Sequence, residues 1–106
     1  MNSSCNFYEL NQSGLVIEAN FLKSTNFDAR PADKLINMIV IHSISLPPNK
    51  FGGTFIEDFF TNKLKIESNP YFKKIKDLKV SSHFLIKRNG ELIQFVSCKD
   101  RAWHAG

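Results

Sequence analysis

Ile39-Val40-Ile41-His42-Ser43-Ile44-Ser45-Leu46-Pro47-Pro48 is the stretch whose reading decides the fold. From Leu35 to Ile41 the chain is apolar except at Asn37. Such a run predicts a strand buried on both faces, as in the middle of an α/β sheet. Pro47 and Pro48 end it, because proline has no N–H to give to a ladder. His42 then stands at the carboxyl end of an interior strand, which is where ligands bind in open α/β sheets. A lone histidine there is either a hydrogen-bonded structural residue, the commoner case, or a metal ligand.

Downstream, Lys50-Phe51-Gly52-Gly53-Thr54 turns the chain, and Thr54 starts a helix. Thr54 and Glu57 have the spacing of a capping box. Phe55, Ile56, Phe59, Phe60 and Leu64 follow on one apolar face and predict core, not a cofactor site. A second helical turn is expected from Asn69-Pro70, with asparagine as N-cap, through Tyr71, Phe72 and Ile75 towards Leu78. Ser82 to Ile86 and Leu92 to Val96 are strand-like runs separated by Arg88-Asn89-Gly90-Glu91. Asn-Gly between two such runs predicts an antiparallel hairpin with both central residues at positive φ. The sequence ends on Arg101-Ala102-Trp103-His104-Ala105-Gly106, residue types that usually belong to an ordered wall or site.

Upstream, residues 1–14 are polar and expected to fray. Leu15-Val16-Ile17 fits an edge strand or a helical turn. Within Asn26-Phe27-Asp28-Ala29-Arg30-Pro31, Asp28 and Arg30 suggest a local ion pair holding a loop.

The 106 residues suit one domain at most, and 42% apolar content with ten phenylalanines provides a core. The net charge of +4 comes from dispersed lysines, with no basic block, so nothing points to nucleic acid; a cleft receiving carboxylates explains it equally well. Cys5 and Cys98 have no metal-site spacing, and two cysteines permit one disulfide at most. The amino-terminal residues lack the pattern of a signal peptide, and no apolar stretch approaches the roughly 20 residues of a membrane helix. The expected compartment is the cytoplasm. The three histidines, His42, His83 and His104, form no local metal motif and can converge only through the fold.

Six segments in one order and spacing carry a family resemblance: Asn26 to Pro31, Val40 to Pro48, Phe51-Gly52-Gly53, Asn69-Pro70-Tyr71-Phe72, Val80-Ser81-Ser82-His83-Phe84-Leu85-Ile86, and Arg101 to Gly106. Together they resemble the first part of the AmpD-type 1,6-anhydro-N-acetylmuramyl-L-alanine amidases. These belong to the zinc amidase superfamily shared with peptidoglycan-recognition proteins and phage amidase lysozymes. The resemblance runs from about residue 15 onwards. It implies an α/β fold, a mixed β-sheet with flanking helices, carried by an incomplete amidase domain over residues 15–106. It implies a zinc hydrolase that cuts the amide between muramic acid and L-alanine of the stem peptide in cell-wall recycling. The partner would be a small muropeptide, with neither nucleic acid nor membrane involved, and the folded chain would be a monomer.

His42 matches the family's first zinc ligand. The resemblance places the other two ligands, the general base and a lysine beyond Gly106, so it assigns no catalytic residue here and supplies one ligand of three. Ser43, Lys79, Trp103 and His104 would meet substrate, with simple packing as the alternative for Trp103 and His104 and a solvated strand-end charge as the alternative for Lys79. Ser43 stands where close relatives usually carry asparagine, and Lys79 where they often carry arginine, so the bidentate fork is missing. Ser82 occupies the place of a catalytic tyrosine in phage amidases and has no activating partner in view. His83 would support the cleft wall. Three readings follow: an amidase that is inactive as this chain alone, a non-catalytic muropeptide-binding module, or a remnant with no stable fold.

Overall fold

Leu92–Gln94 is the strand on which the sheet is built, in a computed structural model that describes residues 8–104. Among the described residues there are five strands: β1 (Asn20–Phe21), β2 (Phe27–Ala29), β3 (Phe84–Ile86), β4 (Leu92–Gln94) and β5 (Asp100–Ala102). The first sheet has the order β1-β4-β3, with β1 parallel and β3 antiparallel to β4, so it is mixed. The second pairs β2 with β5 antiparallel. The helix α1 (Phe55–Phe60) and two 3-10 turns, Ile66–Ser68 and Pro70–Lys74, lie between β2 and β3 in the chain.

The hairpin forms where Asn89-Gly90 places it, pairing Phe84 with Gln94 and Ile86 with Leu92. Its turn differs from the expected one. Gly90 alone has positive φ, at 88°. Gly90 N donates to Lys87 O at 2.9 Å, and Lys87 N donates to Glu91 O at 2.9 Å. That is the longer hairpin loop, a type I turn closed by a left-handed glycine, and it leaves Asn89 unstrained.

The second turn starts as its sequence demands. The Asn69 side chain accepts from Tyr71 N at 2.9 Å, and Pro70 takes the first helical position. The capping box at Thr54 does not form. No side chain caps α1, and Thr54 Oγ1 reaches Asp58 instead, at a long 3.4 Å. Glu57 is turned inward, 7% exposed, and its carboxylate takes Lys87 Nζ at 2.9 Å. A buried carboxylate needs a cation more than it needs a helix N–H, so the long-range pair wins over the local cap. The Glu57 carboxylate raises the pKa of Lys87, chiefly by accepting its hydrogen bond. The pair is therefore intact below the ordinary lysine range and is lost as pH rises through the raised value.

The core lies between α1, the second 3-10 turn and the central strand. Phe72 and Phe95 are fully buried, and Phe60 meets Phe95 edge-on at 5.1 Å between ring centroids. Phe55 packs edge-on against Phe72 at 5.0 Å.

The stretch expected to be the interior strand is the main correction. Among the described residues, 35–41 pairs with no strand, and no backbone hydrogen bond is recorded for residues 35–44. Its side chains face solvent: Leu35 is 87% exposed, Ile39 88% and Ile41 90%. The composition suits burial on two faces, but a strand exists only through neighbours that supply its ladder and cover its faces. None of the described residues does so.

Residues 8–14, within the segment expected to fray, are held; residues 1–7 lie outside the described part. The Asn11 side chain accepts from Ser13 N and Leu15 N, and Val16 forms an isolated bridge with Leu10 rather than an edge strand. Gly14 O takes Cys98 N at 2.9 Å and Gln94 Nε2 at 2.9 Å. Gly14 sits at φ +80°, where a Cβ would collide with Ser97 Oγ and stand 3.1 Å from the Cys98 backbone nitrogen. Gly14→Ala is therefore expected to cost about 2 kcal/mol, from left-handed strain plus the clash. Urea denaturation measures it, and an unchanged midpoint would show that this segment does not brace the sheet.

Candidate metal and substrate site

Backbone hydrogen bonds fix the end of β5 before any side chain acts. Trp103 N donates to Asn26 O at 3.0 Å, and Ser81 N donates to Trp103 O at 2.7 Å. Trp103 is thus clamped between the segment before β2 and the segment before β3, and the residue is 39% exposed. His104 follows it. The His104 ring lies beside that of His42, with centroids 5.3 Å apart and planes tilted by 45°. Both histidines are exposed. The 62 positions between them in sequence are closed only by the fold.

Below these rings the wall is built from charge and hydrogen bonds. Arg101 binds Asp28 across the β2–β5 pair in a two-pronged contact of 2.7 and 2.5 Å. Arg101 holds the Asp28 carboxyl below the ordinary aspartate range, and the Trp103 indole adds to that pull. Being surface-exposed, the pair sets geometry more than stability. The expected local partnership of Asp28 with Arg30 does not form. Side chains two apart on a strand share a face, but Asp28 is drawn to the residue opposite it in the register, Arg101. Arg30 instead donates from Nε to Cys98 O at 3.2 Å and reaches His83 Nε2 at 3.3 Å.

His83 Nε2 lies 2.8 Å from Asp100 O. A carbonyl can only accept, so this nitrogen carries the proton, and its approach to Arg30 is packing of two donor groups. His83 is half-buried and serves the wall. Cys98 is a free thiol that burial pushes up in pKa, with Arg30 opposing. Cys5 lies outside the described residues.

Of the other expected contact residues, only Lys79 lies apart. Ser43 is exposed beside His42, and no hydrogen bond is recorded for it. Lys79 is exposed and lines a shallow cleft of about 130 Å³ with Lys76, Leu78, Phe59, Phe72 and Asn62; His42, Trp103 and His104 are not part of that lining. His42, Trp103 and His104 therefore form one group and Lys79 belongs to another.

A catalytic zinc takes three protein ligands. Among the described residues no group of three or more His, Cys, Asp or Glu side chains is placed to hold a metal ion. His42 with His104 falls short of that set, so the described residues alone do not fit a catalytic zinc.

Sequence reading missed Asn26. It is 1% exposed, and its amide nitrogen contacts Phe60 O at 3.2 Å, Val80 O at 2.9 Å and Asn62 Oδ1 at 2.9 Å. Its backbone carbonyl carries Trp103. Gln94 was missed in the same way: it is fully buried and its amide takes Val16 N, Gly14 O and Val96 O. The available signal was a lone amide beside apolar residues, as in Ile93-Gln94-Phe95, since a buried amide must find partners.

A family profile described as N-acetylmuramoyl-L-alanine amidase matches residues 31–106. The 1,6-anhydro-N-acetylmuramyl-L-alanine amidase AmpD of Haemophilus influenzae is 47% identical over 95 residues, covering 90% of this chain and 52% of that protein. The protein of the same name from Escherichia coli K12 is 42% identical over 95 residues, with the same two coverages. A crystal structure of a selenomethionine AmpD derivative superposes with a TM-score of 0.85 at 44% identity, over 92% of this chain and 55% of that one. The solution structure of Citrobacter freundii AmpD gives a TM-score of 0.57 at 44% identity, over 92% and 52%. The chain spans about half the length of the curated relatives it matches. No helix among the described residues is long and apolar enough to cross a membrane. The superposition carries the fold and the family profile and identity carry the sequence, and this chain belongs to the N-acetylmuramoyl-L-alanine amidase family.

Proposed function

We propose that this chain is the histidine-bearing half of a zinc-dependent amidase of the cytoplasm. The reaction is hydrolysis of the amide between anhydro-N-acetylmuramic acid and L-alanine of the stem peptide, in cell-wall recycling. The observation that carries the reading is the 47% identity, over 90% of the chain, to a protein named for that substrate. His42 would be one ligand of the metal, and the remaining ligands would come from the part of the amidase fold outside the matched half. Zinc, when bound, lowers the pKa of its water and polarises a carbonyl.

The chain's own residues bind and orient. Trp103 presents an exposed aromatic face, held by backbone bonds on both sides, against which an apolar sugar or lactyl surface can rest. His104 and Ser43 flank His42 and offer polar contacts to the amide and its neighbours. Lys79 would meet a stem-peptide carboxylate as a point charge from a neighbouring part of the surface, aided by the net charge of +4. With two clustered imidazoles, the isolated chain is expected to be inactive.

The test is a single-chain chimera in which this sequence replaces the matched half of the Haemophilus protein. Its folded form is expected to release stem peptide from an anhydro-muropeptide, to lose that activity in a chelator and to regain it with zinc. A folded, inactive chimera would refute the amidase reading. The two imidazoles gathered among the described residues, short of a catalytic ligand set, favour one second reading, a non-catalytic muropeptide-binding module. For that, the chimera would bind anhydro-muropeptide without cleaving it.

A further inference from the structure

The net charge of the chain sits in one lobe. Residues 62–79 run from just after α1 through the two 3-10 turns. They hold Lys63, Lys65, Lys73, Lys74, Lys76 and Lys79 against Glu67 and Asp77, a net charge of +4. Of the 14 basic and 10 acidic side chains in the whole chain, the other eight and eight cancel. Along the sequence these lysines are single or paired, and the fold gathers them because the two turns pack on one another. All six are exposed, and none enters an ion pair among the described residues. An ordinary solvated face intersperses both signs; this one does not.

The same lobe exposes apolar side chains between its charges. Lys76 and Lys79 border the shallow cleft that Leu64, Ile66 and Leu78 also line. Leu78 is 48% exposed and Ile66 37%. Ammonium groups on flexible stems, set around exposed aliphatic side chains, suit a flat anionic surface with an apolar layer beneath it. The stems lie along that layer while the ammonium groups meet headgroup phosphates.

Other anionic partners fit less well. Single-stranded nucleic acid stacks its bases on exposed aromatic rings. The aromatic residues of the lobe are Phe72, fully buried, and Tyr71, half-buried with Lys74 Nζ 5.9 Å from its ring centroid. The lobe has no arginine, so it offers no fork for a single phosphate or a base edge. A stem-peptide carboxylate would engage Lys79 and leave five ammonium groups unused.

We propose that the lobe of residues 62–79 is a docking surface for an anionic lipid bilayer, with its lysines at the headgroups and Ile66 and Leu78 at the acyl boundary. The family resemblance implies no membrane partner; the placement of these lysines argues for one. Association is peripheral and reversible, and it does not rest on the amidase reading.

Flotation of the full chain with vesicles tests it. The vesicles are phosphatidylcholine alone, or phosphatidylcholine with about 30% phosphatidylglycerol, a strongly anionic composition. At about 0.05 M salt, binding is expected to be at least about tenfold stronger to the anionic vesicles, and to fall about tenfold at about 0.5 M as screening shortens the reach of the charges. The combined change Lys63→Gln, Lys65→Gln and Lys76→Gln is expected to weaken that binding by at least about tenfold. All three side chains are exposed and unpaired among the described residues, so the melt stays in place. Leu78→Ser is expected to weaken binding about threefold with its salt dependence kept, because it removes apolar contact and no charge. The single-chain chimera carries the same lobe and gives the same readout where the chain alone aggregates.

Equal binding to neutral and anionic vesicles, or none to either, would overturn the proposal. Full binding by the triple glutamine variant would separate the lobe from the membrane. Salt-sensitive binding of a single-stranded oligothymidylate that outcompetes the anionic vesicles would make nucleic acid the occupant instead.

Discussion

Asn26→Leu is expected to lower the stability of the chain by about 3 kcal/mol, although leucine matches asparagine in heavy-atom count and branching and is more apolar. Asn26 is almost fully enclosed, so the change swaps hydrogen bonds for bulkier methyl groups on the same branched skeleton. The Val80 carbonyl loses its bond at 2.9 Å, and Phe60 O keeps only Ser24 Oγ, at 2.6 Å. A buried carbonyl left without a partner costs about 1–3 kcal/mol, and each lost bond about 1 kcal/mol more. Asn62 loses both of its contacts with Asn26 but stays exposed and regains water, so it adds little. Asn26→Asp is expected to cost more than Asn26→Leu, because it sets an anion against the carbonyls of Phe60 and Val80. Urea titration followed by Trp103 fluorescence measures both, since Trp103 is the one tryptophan and its backbone hangs on Asn26. A leucine variant within about 0.5 kcal/mol of the parent, the ordinary range for surface changes, would mean that Asn26 is not the joint of this wall.

That joint shows why some of the fold was legible and some was not. The hairpin and the Asn69-Pro70 turn follow from chemistry within five residues: a glycine that takes positive φ, an asparagine that accepts from the second residue on. Local causes can be read locally. β1 is two residues long, has no periodicity, and exists because Leu22 N and Ser24 N continue its ladder onto Gln94 O and Phe95 O. Nothing in Asn20-Phe21 announces a parallel partner 73 positions away. Glu57 carried two compatible meanings, cap or buried ion, and only the position of Lys87 chooses between them. The Leu35–Ile41 run is the clearest case. Its residues specify an environment on both faces, and the described residues do not supply that environment. The pairing of His42 with His104 belongs to the same class: the two rings are 62 positions apart in sequence, and the family resemblance pointed to the first as ligand and the second as groove.

His42→Ala in the single-chain chimera is expected to reduce kcat/KM for anhydro-muropeptide by at least about a thousandfold while leaving the melting transition of the metal-free chimera unchanged. The two halves of that expectation have separate physical grounds. His42 is exposed, its recorded ring contact is the tilted approach to His104, and no hydrogen bond is recorded for it. Truncating such a side chain changes stability by less than about 0.5 kcal/mol. A metal ligand is different, because the metal's Lewis acidity is worth several kcal/mol in the transition state and each 1.4 kcal/mol is a factor of ten. The variant is also expected to retain less zinc after dialysis than the parent chimera, a readout independent of turnover. Lost activity with full zinc retention would move His42 from ligand to substrate contact. Activity and zinc both at parental levels would separate this histidine from the chemistry altogether, and would leave the rings of His42 and His104 as a surface contact at the edge of the Trp103 wall.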